Sequence, residues 1–377
     1  MMPLSPLHRL TPGQRYRLIC LQIIICDVKE AEELCSEDML WNTTNLVTKT
    51  YRKVIQTLQG SSLAVTKRKV EKAYAHSLTT AQEFYRAYLL RICSAYKTKE
   101  MARNRELDRI CRGPDKQEGS IPPTIPPGNP DVQAFVDKSF PKTLVFLGDL
   151  SRYRTLLRPR NRSFGTALTY YSLANELMPN SGYGFHQSGV IYSEEGDHLE
   201  IVYNMYRAAI AVEQPHPLAQ PNLEREFRNL RDQAPTATKG SVEAMVSWFV
   251  KLQAFYYKGE EFPGQKELEN EVDNRLSMAL RKGSDSQVDI VVLKMALINI
   301  SAYVFGLQRT QGMVHERQLY TACTDDISGL GQGQITLLPV HPAAQHPHHQ
   351  YHCSRAQSRT PGSRPERHVP DICHRGG

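Results

Sequence analysis

Residues 144–213 hold two unequal copies of a helix pair, and this repeat constrains the fold more than any other feature of the chain. The first copy reads LVFLGDLSRYRTLLRPRNRSFGTALTYYSLANELMPN and the second SGYGFHQSGVIYSEEGDHLEIVYNMYRAAIAVEQP. In the first copy Ala167, Tyr171, Ala174 and Pro179 stand at helical intervals along a second helix and its exit. In the second copy Phe185, Gly189, Tyr192, Gly196 and Ala208 alternate large rings with small residues. Small residues let paired helices approach closely, and rings fill the gap between neighbours. One such pair cannot bury its own apolar face, so the pairs must stack on each other and on flanking helices. The expected fold class is all-α, an antiparallel helix array that presents surfaces to partners.

The flanking sequence agrees. Residues 14–36 read as one helix, and 40–59 as a second that stops at Gly60. Val70, Tyr74, Leu78, Ala81, Tyr85, Tyr88, Ile92 and Tyr96 advance in steps of three and four along a long third helix. Those tyrosines read as core packing. Residues 113–130 are a proline-rich loop. Further on, 241–258, 265–282 and 288–308 read as three helices behind a linker at 232–240. The last is apolar almost all round, yet Asp289, Lys294 and Asn299 interrupt it. A bundle helix fits this better than a membrane span, and no membrane partner is expected. One flank of it should be exposed, drawn from Val291, Leu293, Leu297, Ile300, Val304 and Phe305. After about residue 310 periodicity ends and Pro, Gly, Gln and Arg dominate. The expected domains are therefore 1–231, a partial helical-hairpin unit at 241–310, and a disordered tail at 311–377. The abrupt change suggests an altered reading frame or a retained intron, which transcript sequencing would settle.

Composition narrows the function classes. The net charge of +7 is compatible with an anionic partner. Eight cysteines without a C-x-x-C spacing fit a reducing compartment, nucleus or cytoplasm. P-loop, G-x-S-x-G and H-E-x-x-H motifs are missing. No catalytic residue, metal or cofactor is expected, and the chain reads as a non-enzyme. The HPHHQYHC stretch of the tail has ligand-type side chains but no scaffold to fix them.

The segments FLGDLSRYR and ALTYYSLANELMPNSGYGFHQSGVIYSEEGDHLEIVYNMYRAAIAVEQPHPLAQPNLEREF, with LWN and TLQG upstream, carry a resemblance. The chain resembles the ever-shorter-telomeres family over roughly residues 14–310, as a C-terminally truncated member. That family comprises telomerase-associated subunits and nonsense-mediated mRNA decay adaptors. The resemblance implies a 14-3-3-like domain with tetratricopeptide-type repeats, followed by a helical-hairpin region.

It also implies a site. Gly148-Asp149-Leu150-Ser151-Arg152-Tyr153 is similar to the stretch with which 14-3-3 proteins hold a phosphoserine, which gives that role to Arg152 and Tyr153. Counting back from TLQG places the groove cation at Arg52, with Gln59 where a further arginine would stand. A guanidinium binds phosphate through paired charge-assisted hydrogen bonds, and a phenol adds a neutral donor. Reversing Arg152 to glutamate is expected to remove phosphopeptide binding and leave helical content unchanged. Beside the site Arg154, Arg158, Arg160 and Arg162 form, with Arg152, a basic run that is either a solvated face or a track for a nucleic-acid backbone. The implied partners are a phosphorylated decay helicase and related decay adaptors or a phosphatase. The alternative is a telomerase-associated subunit that binds single-stranded DNA or RNA.

Overall fold

The computed structural model describes residues 12–58, 63–96, 130–158, 162–233, 241–259, 262–281 and 286–309. Among these residues every regular element is a helix. The proline-rich loop, the linker at 234–240 and the tail beyond 309 lie outside them.

Helix α1 (Pro12–Cys26) and α2 (Val28–Glu33) replace the single helix expected at 14–36. The Asp27 carboxylate accepts from the amides of Lys29 and Glu30, so it starts a new helix instead of continuing the old one. Helix α3 is Ser36–Thr57 and α4 is Ala64–Tyr96. The expected stripe on α4 is the buried one: Tyr74, Leu78, Ala81, Tyr85, Tyr88 and Ile92 all face inward. Helix α5 (Pro130–Leu156) is buried on most sides, from Phe135 to Leu150, and forms the axis of the first half.

The repeat supplies α6 (Gly165–Leu177), α7 (Gly182–Glu195) and α8 (His198–Ala209). Glycines let these helices close on one another, as expected for Gly189 of the second copy. A Cβ on Gly148 of α5 would stand 2.3 Å from a ring carbon of Tyr171 on α6. A Cβ on Gly189 of α7 would stand 2.7 Å from the Met205 methyl on α8. The two helix pairs thus close on a glycine in the same way. Gly196 ends α7 at φ 76°, where a side chain would be strained. Gly148→Ala is expected to lower stability by about 1–3 kcal/mol, the range for overpacking a filled core. Tyr171 has a hydrogen-bonded hydroxyl that holds its ring in place. Chemical denaturation of the alanine variant checks this.

Helices α9 (Ala219–Asp232), α10 (Ser241–Tyr256), α11 (Gln265–Arg281) and α12 (Ser286–Arg309) complete the array. Two main cores result. The first gathers α1–α6, with Ile24, Leu40, Tyr85, Leu89, Leu144 and Tyr171 at its centre, and takes in Ile191 of α7. The second gathers α8–α12, with Val202, Tyr206, Phe227, Phe249, Met295 and Ile298. Packing therefore divides between the two helices of the second repeat. The second core draws on Phe227 and Leu230 before residues 232–240 and on Met245 and Phe249 after them.

Helix α12 is long and apolar enough to cross a membrane by length and composition. It packs as a bundle helix, with Met295, Ile298 and Phe305 buried. Its polar groups are matched within the bundle: Lys294 pairs with Glu200, and Gln253 donates to Asn299 at 2.7 Å. Of the residues expected on its open flank, Leu293 and Ile300 are exposed, joined by Ile290. Phe305 is not among them, because its ring packs edge-on against Tyr206 and parallel to Tyr257. Leu293→Lys should leave the unfolding midpoint within about 0.5 kcal/mol of wild type. Ile298→Lys places a charge in the second core and should prevent folding. Denaturant titration separates the two.

Candidate functional site

A groove of about 800 Å³ runs between α3, α5, α6 and α7, closed at one side by residues 214–216. Its base is aromatic. Trp41 stacks on Phe146 with ring centroids 4.1 Å apart and planes 8° apart, and Tyr85 meets both rings edge-on. This contact fixes α3 against α5 and explains the tryptophan of LWN as a packing residue.

At one end of the groove the last turns of α5 present Asp149, Arg152 and Tyr153, at positions i, i+3 and i+4 of a helix. Asp149 and Arg152 are buried together. Arg152 Nη2 donates to Asp149 Oδ1 at 3.0 Å and to Gln187 Oε1 of α7 at 3.2 Å. Its Nε donates to the Tyr171 hydroxyl at 3.4 Å, and that hydroxyl donates to Asp149 Oδ1 at 2.7 Å. Nη1 is the one guanidinium nitrogen that these three neighbours leave unengaged. Burial pushes the Asp149 carboxyl up, and Arg152 and Tyr171 pull it back. Burial opposes the charge on Arg152, but Asp149, Tyr171 and Tyr153 together outweigh it and hold the guanidinium charged.

The three residues that the sequence assigns to phosphoserine come together. The Tyr153 ring lies under both guanidiniums, 4.8 Å from Arg152 and 5.7 Å from Arg52 of α3. Arg52 is exposed and has no carboxylate partner among the described residues. Lys49, one turn earlier on α3, lines the groove. Gln59 lies outside the described residues.

Sequence reasoning missed a second phenol. Tyr74 of α4 stacks on Tyr51 and faces Arg52, Arg152 and Tyr153. Among the described residues its buried hydroxyl has at most the Thr48 hydroxyl as a weak neighbour. Burial pushes Tyr74 up to about 12 and raises Tyr153 as well, so both stay neutral donors at pH 7. Tyr74 belongs to the stripe read as core, and its period gave no sign of what it lies beneath. Gln187 and Asn175 line the groove from the repeat, and no local motif marks them.

The basic run does not form one face. Arg152 turns inward to Asp149, and Arg154 reaches α4, donating to Gln82 Oε1 at 2.5 Å. Arg158 and Arg162 are exposed, with Arg162 Nε donating to the Arg158 carbonyl. Arg160 lies outside the described residues.

The opposite end of the groove is a matched set of charges. Lys142 pairs with Asp38 at 2.7 Å and with Glu37, and Lys138 with Glu32 at 3.4 Å. Glu37 also accepts from Tyr88 and Ser139, and burial raises its carboxyl.

Known families match both halves of this architecture. The profile described as Telomerase activating protein Est1 matches residues 36–158, and the profile described as Est1 DNA/RNA binding domain matches residues 167–324. The chain belongs to the Est1 family. The second match runs past residue 310, where the sequence alone shows no further resemblance. Over 327 residues, 84% of the chain, the protein is 25% identical to the Nonsense-mediated mRNA decay factor SMG7 of Danio rerio. Over 89 residues, 23% of the chain, it is 37% identical to the Arabidopsis thaliana factor of the same name. These stretches make up 25% and 8% of the two relatives, so the chain spans only a minor part of their length. Two solved structures share the fold. One is from the C. elegans SMG5-SMG7 complex, at TM-score 0.50 and 15% identity, with 79% of this chain and 71% of that chain covered. The other is from the crystal structure of Est1 and Cdc13, at TM-score 0.57 and 13% identity, with 83% and 63% covered. The helix array is thus the 14-3-3-like and tetratricopeptide-type one of this family.

Proposed function

We propose that the chain is a non-enzymatic adaptor of nonsense-mediated mRNA decay that recognises a phosphorylated serine. One observation carries the proposal: Arg52 and Arg152 both stand against the Tyr153 ring at the end of a groove, and Arg52 has no carboxylate partner among the described residues. A phosphate seated there would accept from Arg52, from Nη1 of Arg152 and from the neutral Tyr153 hydroxyl, a set suited to a dianion. The likeness to decay factors in two organisms supports the biological setting. In that setting the phosphorylated partner is a decay helicase, and the remaining helices hold related adaptors or a phosphatase. Such an adaptor works in nucleus and cytoplasm.

Arg52→Glu tests the reading, because its side chain is exposed and, among the described residues, makes no ion pair, only a contact with the Tyr153 ring. A charged hydrogen bond is worth about 1.5–3 kcal/mol, and reversal adds repulsion. Affinity for a phosphoserine peptide should fall at least ~10-fold while circular dichroism stays unchanged. Undiminished binding by this variant would remove Arg52 from the site.

The second reading is a telomerase-associated subunit that binds single-stranded DNA or RNA. The match of residues 167–324 to a DNA/RNA binding domain favours it, as do the exposed Arg158 and Arg162. Binding of that kind falls steeply with salt and ignores peptide phosphorylation. Submicromolar affinity for a telomeric oligonucleotide at physiological ionic strength would select it.

A further inference from the structure

The candidate phosphate site lies where three helix ends meet. Helix α3 runs antiparallel to α4, since Thr44 meets Tyr85 and Tyr51 meets Tyr74. Helix α4 runs antiparallel to α5, since Tyr88 meets Ser139 and Gln82 meets Ser151. The C-terminus of α3, the N-terminus of α4 and the C-terminus of α5 therefore share one end.

That end is crowded with exposed cations: Lys49, Lys53, Arg68, Lys69, Lys72 and Arg158. Between residues 45 and 76 the only acid is Glu71, and between 150 and 165 there is none. None of these six forms an ion pair with a described residue, whereas Lys138 and Lys142 at the other end of the groove each have a carboxylate. Helix α4 has no acid in its first turn, and Lys67, Arg68 and Lys69 lie near its N-terminus. Cations there oppose the helix dipole and repel one another. The charge at this end is thus unmatched by ion pairs within the described fold, while Lys29, Lys138 and Lys142 of the same bundle each face a carboxylate.

Val54, Leu63 and Val65 are exposed among the cations. Tyr51 is stacked on Tyr74, and Tyr153 is covered by two guanidiniums. Apolar side chains suit a peptide, and among the described residues of this end no free ring offers a platform for nucleic-acid bases.

We infer that this end takes a peptide whose phosphoserine is embedded in an acidic tract, with Asp, Glu or a second phosphate on one side of it. The inference rests on the phosphoserine reading above. Lys72 and Lys69 lie about 3 and 7.5 Å beyond Tyr74 along α4 at ~1.5 Å per residue. An extended peptide advances ~3.3 Å per residue. The acids therefore fall within about one to two positions of the phosphoserine.

The test uses the full chain and binding of labelled peptides. One peptide has a phosphoserine with neutral flanks. Two more add three glutamates, one on the N-terminal and one on the C-terminal side. The unphosphorylated twin of each and a single-stranded oligonucleotide complete the set. One flanked phosphopeptide should bind roughly 5- to 30-fold tighter than the neutral one, as three exposed charge pairs of ordinary strength would give. The double variant Lys69→Gln/Lys72→Gln should lose most of that gain and keep its affinity for the neutral phosphopeptide. Equal affinity for all three phosphopeptides overturns the inference and leaves the phosphoserine reading standing. Equal affinity for phosphorylated and unphosphorylated twins overturns the reading itself. Tighter binding of the oligonucleotide, lost in the same double variant, assigns this end to nucleic acid and overturns the inference.

Discussion

Arg152→Glu is expected to unfold the first half of the chain before it reports anything about phosphate. Arg152 and Asp149 are 13% and 8% exposed, and the arginine also holds Gln187 and Tyr171. Removing it leaves a buried carboxylate without its cation, and glutamate sets a second carboxylate beside the first. Breaking a buried pair in this way costs about 3–5 kcal/mol, a large share of the ~5–15 kcal/mol that keeps a domain folded. Burial already pushes Asp149 up, so without Arg152 the proton must be taken up or the site must open. The expected result is a much lower urea midpoint for Arg152→Glu, partly restored in Arg152→Glu/Asp149→Asn, and an unchanged midpoint for Arg52→Glu. A wild-type midpoint in Arg152→Glu would mean that the Asp149 pair is not structural. This reverses the expectation from sequence that Arg152→Glu would spare the helices. The hexapeptide signature shows an arginine in the right place, but its neighbours on α6 and α7 are set by tertiary packing alone.

The same division runs through the whole chain. The stripe on α4 is readable because a run of threes and fours needs no knowledge of the partner helix. Gly189 is readable because the repeat places a glycine where two helices touch, whereas Gly148 stands in the hexapeptide and its packing against Tyr171 shows only in the fold. The break at Asp27 is not, since apolar residues stand on both sides of it and the deciding contact is a single side-chain cap. Arg154 counts as one more cation in the sequence, yet a glutamine 72 residues earlier draws it to α4. Tyr74 is correctly read as buried, but only the meeting of α3, α4 and α5 shows which charges it faces. The expected partition at 232–240 rests on composition, and sequence gives no sign that α7 sends Ile191 to the first core and Val190 and Tyr192 to the second.

Acidification from pH 6.5 towards 4 is expected to loosen the wall of the groove that carries His216. The His216 ring stacks on His186 of α7 at 3.6 Å, with the planes 10° apart, and Tyr183 meets it edge-on. Asn222 Nδ2 stands 2.9 Å from His186 Nε2, so that nitrogen accepts and the proton sits on the buried, unpartnered Nδ1. Burial, with the charges of His216 and Arg152, lowers His186 to about 3, and burial lowers His216 to about 4. Both rings are therefore neutral in the folded chain at pH 7. A lowered histidine contributes stability that is present above its unfolded pKa, near 6.5, and lost as pH falls through the folded value. Below pH 6.5 the unfolded segment binds protons that the folded one refuses, so stability declines steadily towards pH 4. His198 acts with the opposite sign. Its hydrogen bond to Glu226 raises it, so its contribution is full below 6.5 and fades as pH rises above that value. Its side chain is 41% exposed, so water screens the pair in part and makes its effect the smaller one. The bonds that hold the stacked pair are short-range ones to its own neighbours: the Gly182 amide donates to the Gln214 carbonyl at 2.8 Å, the His216 amide to the Ala208 carbonyl at 3.0 Å, and the Leu218 amide to His216 Nδ1 at 3.2 Å. Opening should therefore be local. Hydrogen exchange at the Gly182 and His216 amides should quicken between pH 6.5 and 4.5, after correction for intrinsic rates. His186→Gln/His216→Phe, which removes both titrations and keeps a ring in the stack, should flatten that dependence. Parallel pH profiles in the variant and the wild type would show that the pair does not govern this wall.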